Sequence, residues 1–241
     1  MKKIIKYLFL LTGGSFILAS CNDFLDREPL DSVTPDNFFF TENDLAAYAV
    51  KHYNFTTHEG FNAGIWKNDN ATDNQAATDY DKKWIPGQWK VPEAYDNPAS
   101  NDPWYFSTIR EANYFLETVV PRFEKGEIEG SETNIKHYIG EMYFLRAKNY
   151  LSKLETFGDF PIIKNTLPDE SESLIQASKR APRYKVAHFI LEDLDQAISL
   201  LTNNISGGKN RITKNAALLL KSRAALFEAS WLTYHKGTAL V

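Results

Sequence analysis

The stretch SETNIKHYIGEMYFLRAKNYLSKLETFGDFPI (residues 131–162) carries the strongest structural signal in the chain. Its apolar side chains largely follow the three-four spacing of an amphipathic helix. Ser131 is a suitable N-cap, Gly158 predicts the end of the helix, and Pro161 opens a short extended stretch. The apolar row consists of Ile135, Tyr138, Ile139, Met142, Leu145, Leu151 and Leu154.

Further helices are predicted on both sides of this segment. Thr41 and Asp44 form a capping-box-like start for a helix that runs to His52. Three more helices are expected to start near Asp102-Pro103, Pro182 and Thr213 and to end before Pro121, near Leu201 and near Trp231, respectively. The chain is therefore predicted to be mostly α-helical.

The last two predicted helices are typical of a hairpin in a helical repeat. Small residues along the final helix would allow another helix to approach closely: Ala216, Ala217, Ala224, Ala225 and Ala229. Ala187 and Ala217 are 30 positions apart, as are Leu194 and Ala224. This spacing is somewhat shorter than the roughly 34-residue tetratricopeptide period. An ordinary helical bundle would give a similar pattern, so both interpretations stay open.

Composition and charge exclude several classes of function. The 241 residues are 43% hydrophobic and 24% charged, which is typical of globular proteins. Without the first twenty residues, 24 basic residues stand against 31 acidic ones, a net charge of −7 that argues against nucleic-acid binding. One cysteine cannot form an internal disulfide or a CxxC pair. The acidic residues from Asp69 to Asp81 lack the glycine and final glutamate of an EF-hand loop, so no metal site is predicted there. No cofactor is predicted either.

The first twenty residues have the features of a lipoprotein signal peptide (1–20). Three lysines precede 13 uncharged, mostly apolar positions, a length that suits a signal-peptide core better than a membrane span. The segment ends in LASC (18–21), which resembles a bacterial lipobox. Cys21 is therefore predicted to carry the lipid anchor; the alternative is an ordinary secretory signal followed by an accidental cysteine.

Three separated groups of motifs together resemble the SusD/RagB-like outer-membrane lipoproteins of glycan uptake systems. They are CNDFLD (21–26) with TPDNFF (34–39), FLRAKNYL (144–151) with FGDFPI (157–162), and KNAA (214–217) with KSRAAL (221–226). The resemblance covers essentially the whole chain. Because family members continue roughly as far again beyond Val241, residues 21–241 are expected to be the N-terminal part of a truncated SusD-like domain.

The resemblance implies a fold, a location and a partner. The fold would be mostly α, with tetratricopeptide-like helical hairpins and long irregular loops. The protein would be lipid-anchored in the outer membrane, facing the cell exterior, with no catalytic activity. It would bind an oligosaccharide and act as a lid on a TonB-dependent, SusC-like transporter.

An aromatic-rich stretch before residue 105 supplies the candidate glycan-binding residues. Trp66, Trp84, Trp89 and Trp104 lie in it, in a region without a sustained helical period. Indole rings stack on the apolar C–H faces of sugars, whereas carboxylates bind their hydroxyl groups. We therefore select Trp66, Asp69, Trp84 and Trp89; the alternative is that these tryptophans pack onto the helical core.

Two other functions stay open at this point. One is an extracytoplasmic helical-repeat scaffold that binds protein and no sugar. The other is a glycoside hydrolase using carboxylates of the strongest helix, where Glu141, Arg146 and Glu155 lie. Their helical spacing favours ion-paired surface residues instead.

Overall fold

The regular structure is helical apart from two isolated β-bridges in the part of the chain that the computed structural model describes, residues 38–53, 85–87, 104–205, 210–238 and 240. This confirms the mostly-α prediction. None of the described helices combines the length and the apolar character needed to cross a membrane. The helices are α1 (Glu42–Lys51), α2 (Ser107–Glu124), α3 (Glu132–Phe157), α4 (Ser171–Ala177), α5 (Arg183–Leu200) and α6 (Lys214–Tyr234).

Helix α3 is the centre of the described structure and packs against α1, α2, α5 and α6. It begins after Ser131 and ends at Gly158, as its sequence predicts. Gly158 has φ = +72°, a left-handed conformation that glycine adopts without the steric cost of a Cβ. The middle of α3 is buried on nearly all sides, so it is less amphipathic than the spacing of its apolar residues indicates.

Helix α1 is joined to the start of α3 by side-chain and backbone hydrogen bonds. The predicted capping box is present, with the Thr41 hydroxyl accepting from the Asp44 backbone N–H. The Glu42 carboxylate accepts the Ser131 backbone N–H at 2.7 Å. Gly130 makes this approach possible, since it has φ = +135° and an added Cβ would lie 2.7 Å from the Cβ of Glu42.

Helix α2 differs from its predicted boundaries at both ends. It begins at Ser107 with Phe106 as N-cap, several residues after the Asp102-Pro103 signal, which lies outside the described residues. It also continues through Pro121 to Glu124. A proline this near the end removes only one hydrogen bond, and its own carbonyl still accepts the Lys125 N–H at 3.2 Å. Packing of Arg122 over the Phe40 ring, at 4.3 Å, holds the last turn in place.

Helices α5 and α6 pack together as the predicted hairpin. Thr213 caps α6 by accepting the Ala216 N–H, and α6 continues to Tyr234. Of the small residues on α6, Ala217 and Ala224 are buried, whereas Ala225 and Ala229 are exposed. The small residues therefore lie on two faces of α6, and only Ala217 and Ala224 are on the buried face.

Helix α4 was not predicted from the sequence. It has seven residues, no side-chain N-cap and no buried side chain. Its two large apolar residues, Leu174 and Ile175, are adjacent in sequence and both exposed, so they give no helical period.

Candidate functional site

A groove of about 370 Å³ lies between the start of α2, the irregular segment 161–167 and α4. This volume is in the range of small-molecule sites, which is about 300–1,000 Å³. Its described lining residues are Trp104, Phe106, Ile109, Arg110, Asn113, Pro161, Ile163, Asn165, Leu167, Leu174 and Ser178.

The aromatic wall of the groove is supported by the core. Phe160 is fully buried, and both Phe106 and Trp104 pack on it, with ring centroids 5.1 and 5.6 Å away and planes nearly parallel. Phe157 packs on Trp104 at 4.1 Å. The two rings that line the groove are therefore held in position from behind, which fixes the shape of the wall.

The FGDFPI motif (157–162) explains why the chain turns here to form that wall. Gly158 ends α3, and the Asp159 carboxylate then accepts the backbone N–H of Arg183 at 2.7 Å, at the start of α5. Phe160 exchanges two backbone hydrogen bonds with Ala181, at 3.2 and 3.0 Å. The segment that follows is thus anchored to the first turn of α5.

A buried polar network holds the rest of segment 161–167. Arg146 of α3 makes two hydrogen bonds of 2.7 Å to the Asp193 carboxylate and one of 2.8 Å to the Asn113 side-chain oxygen. The Asn113 amide donates to the Ile163 carbonyl at 2.8 Å. The Ile163 N–H donates to the Tyr150 hydroxyl at 2.8 Å. Each partner comes from a packed helix, so this side of the groove is rigid.

Burial changes the ionisation of two groups in this network. It raises the pKa of Tyr150 to about 12, so the hydroxyl stays protonated and donates to the Ile163 carbonyl at 3.2 Å. Burial also raises the pKa of Asp193, by more than the Arg146 guanidinium lowers it. Burial therefore disfavours the charged carboxylate, and the Arg146 guanidinium offsets part of that effect.

Two arginines lie at the mouth of the groove. Arg110 lines it and is exposed, and the Arg180 guanidinium lies 5.0 Å from the centroid of Trp104. None of the described lining residues is a carboxylate. Nearby, Glu117 already accepts the N–H and hydroxyl of Thr166, at 2.9 and 2.8 Å. Among the described lining residues there is also no cysteine or histidine.

The prediction of surface ion pairs on α3 is wrong for two of its three residues. Glu141 is fully buried and accepts from His137 at 3.1 Å and from Arg211 at 2.9 Å. Arg146 is buried in the network described above, and only Glu155 is exposed. The reason is that α3 is surrounded by other helices, so its charged groups find partners far away in sequence.

The selected site residues Cys21, Trp66, Asp69, Trp84 and Trp89 lie outside the described residues and stay predictions. Trp104, the last tryptophan of the same aromatic stretch, lines the groove. Phe106, Arg110 and Asn165 were not predicted as site residues, and only the closeness of Phe106 to Trp104 in the sequence could have indicated one of them.

The chain is similar to one protein family over most of its length. Residues 23–226 match the SusD-like family model described as starch-binding and associating with the outer membrane. "SusD-like protein P38" of Formosa agariphila is 27% identical over 203 residues, covering 82% of this chain and 37% of that protein. "SusD-like protein P25" of the same organism is 23% identical over 243 residues, covering 96% of this chain and 44% of that protein.

Solved structures agree with this similarity. A SusD-like protein of Bacteroides fragilis NCTC 9343 is 25% identical with a TM-score of 0.62, over 85% of this chain and 38% of that one. A SusD-like carbohydrate-binding protein of the same strain has a TM-score of 0.59 at 18% identity, over 80% and 39%, and supports the fold alone. The chain thus spans about two fifths of the length of these relatives.

Proposed function

This chain belongs to the SusD-like family, and from that premise we propose that it binds an oligosaccharide at the outer membrane and delivers it to a TonB-dependent, SusC-like transporter. The observation that carries the proposal is the family match over residues 23–226, whose description names starch binding and association with the outer membrane. Because the chain covers only part of its relatives, the activity of the whole protein belongs to the proposal.

The proposed glycan contacts come from the aromatic-rich stretch. Trp66, Trp84 and Trp89 would stack on sugar rings, and Asp69 would bind hydroxyl groups. The groove lined by Trp104 supports the proposal, since it offers aromatic rings, amides and arginine on a rigid wall.

Alanine variants of Trp66, Trp84 and Trp89 test these contacts by glycan titration and thermal melting. A stacking tryptophan contributes about 2 kcal/mol or more, so its loss should weaken binding about 30-fold with little change in Tm. Trp231→Ala is the matched control, because Trp231 lies on α6 and packs against the Arg183 guanidinium of α5. If all three variants melt far lower while the folded fraction binds normally, these tryptophans are packing residues.

The proposed anchor is a lipid on Cys21, after removal of residues 1–20, which would hold the protein on the exterior of the outer membrane. Cys21→Ala should leave an unprocessed or unanchored form, whereas the control Ser20→Ala retains the cysteine and should remain anchored. Unchanged detergent partitioning and surface labelling of Cys21→Ala would contradict this. Co-purification of a β-barrel transporter with the anchored protein tests the proposed delivery step.

SusD-like proteins are binding proteins rather than enzymes, and we propose that this chain likewise has no hydrolytic activity. Incubation of the purified chain with the polysaccharides it binds should release no reducing ends. Turnover that disappears when two carboxylates are replaced would contradict this proposal.

The outer face of α6 favours the scaffold as a second candidate function. Leu219 is 73% exposed, Leu226 69% and Tyr234 84%, on a helix that buries few of its large apolar residues. Apolar patches of this kind mark protein contacts. The variant Leu226→Glu tests this role. If it abolishes the capture of a protein partner and leaves glycan binding intact, the scaffold role is separate from the sugar-binding role.

A further inference from the structure

We propose that the groove between α2, segment 161–167 and α4 is a subsite for a sugar unit that carries an anionic group, either a carboxylate or a sulfate. This inference rests on the proposed function, because it names the class of glycan that would bind. It adds a site formed by residues outside the set of Trp66, Asp69, Trp84 and Trp89.

The groove carries two guanidinium groups that are available to an anion. Arg110 and Arg180 have no ion-pair partner among the described residues, although acidic residues outnumber basic ones in the chain as a whole. Arg180 lies beside the Trp104 ring, and Arg110 is part of the lining itself. A guanidinium group binds planar carboxylates and sulfates through paired N–H donors, so an anion at this mouth has suitable partners.

The groove also combines an apolar wall with a polar rim. Trp104, Phe106 and Ile109 offer apolar surface to the C–H groups of a sugar ring. The Asn165 side chain is exposed at the rim and can both donate to and accept from hydroxyl groups. The Ser178 hydroxyl donates to the Ile175 carbonyl at 2.7 Å, which leaves its oxygen able to accept.

Hydrogen bonds from the helices hold the wall of the groove in place. The wall that carries Ile163 and Asn165 is fixed by the Asn113 side-chain amide, which donates to both of their backbone carbonyls, at 2.8 and 3.3 Å. Asn113 is in turn bound by Arg146. A groove that is already ordered loses less conformational entropy when a ligand binds than a mobile loop does, which favours measurable affinity for a small sugar unit.

The experiment compares a uronate with its own neutral reduction product, and with a sulfated tetrasaccharide. The purified full chain is titrated calorimetrically with tetragalacturonate, with the same tetrasaccharide after reduction of its carboxylates to hydroxymethyl groups, and with a sulfated galactan tetrasaccharide. We expect an anionic ligand to bind at least 10-fold more tightly than the reduced one, with affinity falling as NaCl is raised. Preference for the uronate or for the sulfate identifies the source of the anion.

Variants assign the effect to the groove. Arg110→Gln and Arg180→Gln should each weaken anionic binding about 5–10-fold, on the scale of a charged hydrogen bond at an exposed site. Arg110→Lys keeps the positive charge and should therefore retain part of the anionic binding. Arg223→Gln, on the exposed surface of α6, is the matched control and should have no effect. The aromatic wall is tested with Trp104→Phe and not with Trp104→Ala, because Trp104 packs on Phe160 and a second aromatic ring keeps the fold.

The outcomes distinguish this inference from the proposed function. Equal binding of the charged and reduced tetrasaccharides, or unchanged anionic binding in both glutamine variants, overturns the anionic subsite and leaves the glycan-binding function standing. Failure of a panel of neutral, uronate and sulfated glycans to bind the folded chain overturns the glycan-binding function and the subsite with it.

Discussion

Replacing Arg146 with methionine removes the guanidinium that joins α2, α3 and α5 behind the groove. The change deletes two bonds of 2.7 Å to Asp193, one of 2.8 Å to Asn113 and one of 3.3 Å to the Lys164 carbonyl. It leaves the Asp193 carboxylate buried without its partner, which typically costs about 3–5 kcal/mol. We expect a loss of about 4 kcal/mol from a total unfolding free energy of roughly 5–15 kcal/mol.

Urea denaturation followed by circular dichroism measures this loss. With an m-value of about 2 kcal/mol/M, the midpoint should fall by about 2 M. The double variant Arg146→Met with Asp193→Leu removes both charges, so most of the loss should be recovered, with only the Asn113 oxygen and the Lys164 carbonyl left short of a partner. Arg223→Met is the control, because the same exchange at an exposed position should change stability by no more than about 0.5 kcal/mol.

Two results would refute this reasoning. One is a loss below about 1 kcal/mol for Arg146→Met, which would mean that Asp193 does not need its partner. The other is a double variant that costs the sum of the two single variants, which would mean that the two groups are not coupled.

Three further changes test the packing. Gly140→Ala brings a Cβ within 3.0 Å of Leu201 Cγ and 3.1 Å of Leu200 Cβ; the overpacking cost of roughly 2 kcal/mol should exceed the gain of about 1 kcal/mol in helix propensity, for a net loss of about 1 kcal/mol, and a raised Tm would contradict this. Since burial raises the Tyr150 pKa to about 12, only the unfolded state deprotonates from pH 10, and stability should fall as pH rises from 10 to 12. Tyr150→Phe should reduce that slope in urea titrations, and an unchanged slope would count against it. Leu226→Glu on the exposed face of α6 should leave Tm within about 1 °C; a large fall in Tm would show that the face is packed.

Local signals in the sequence determined much of the helical framework. Thr41 with Asp44 caps α1, Thr213 caps α6 and Gly158 ends α3, because capping depends on residues within one turn of the chain. Ser131 marks the position before α3, although its side chain makes no capping hydrogen bond. The family motifs could be recognised for a similar reason. In FGDFPI (157–162), the glycine that ends α3, the aspartate that caps α5 and the phenylalanine of the core are adjacent in the chain.

Only part of the candidate groove could be predicted. Trp104 belongs to an aromatic stretch that the sequence reveals directly. Arg110, Asn165 and Ser178 come from α2, an irregular segment and the C-cap of α4, and no sequence period links them. Their proximity results from the packing of Phe106 and Trp104 on Phe160, which local patterns do not encode.

The tertiary structure alone decided the environment of the charged residues on α3. Glu141 and Arg146 have the spacing of surface residues, yet Arg211 and Asp193, which are 70 and 47 positions away, bind them in the interior. Helix propensity and capping are the same for a charged residue that faces water and for one that faces another helix. Which of the two occurs depends on how many helices surround α3, and that number is set by long-range packing.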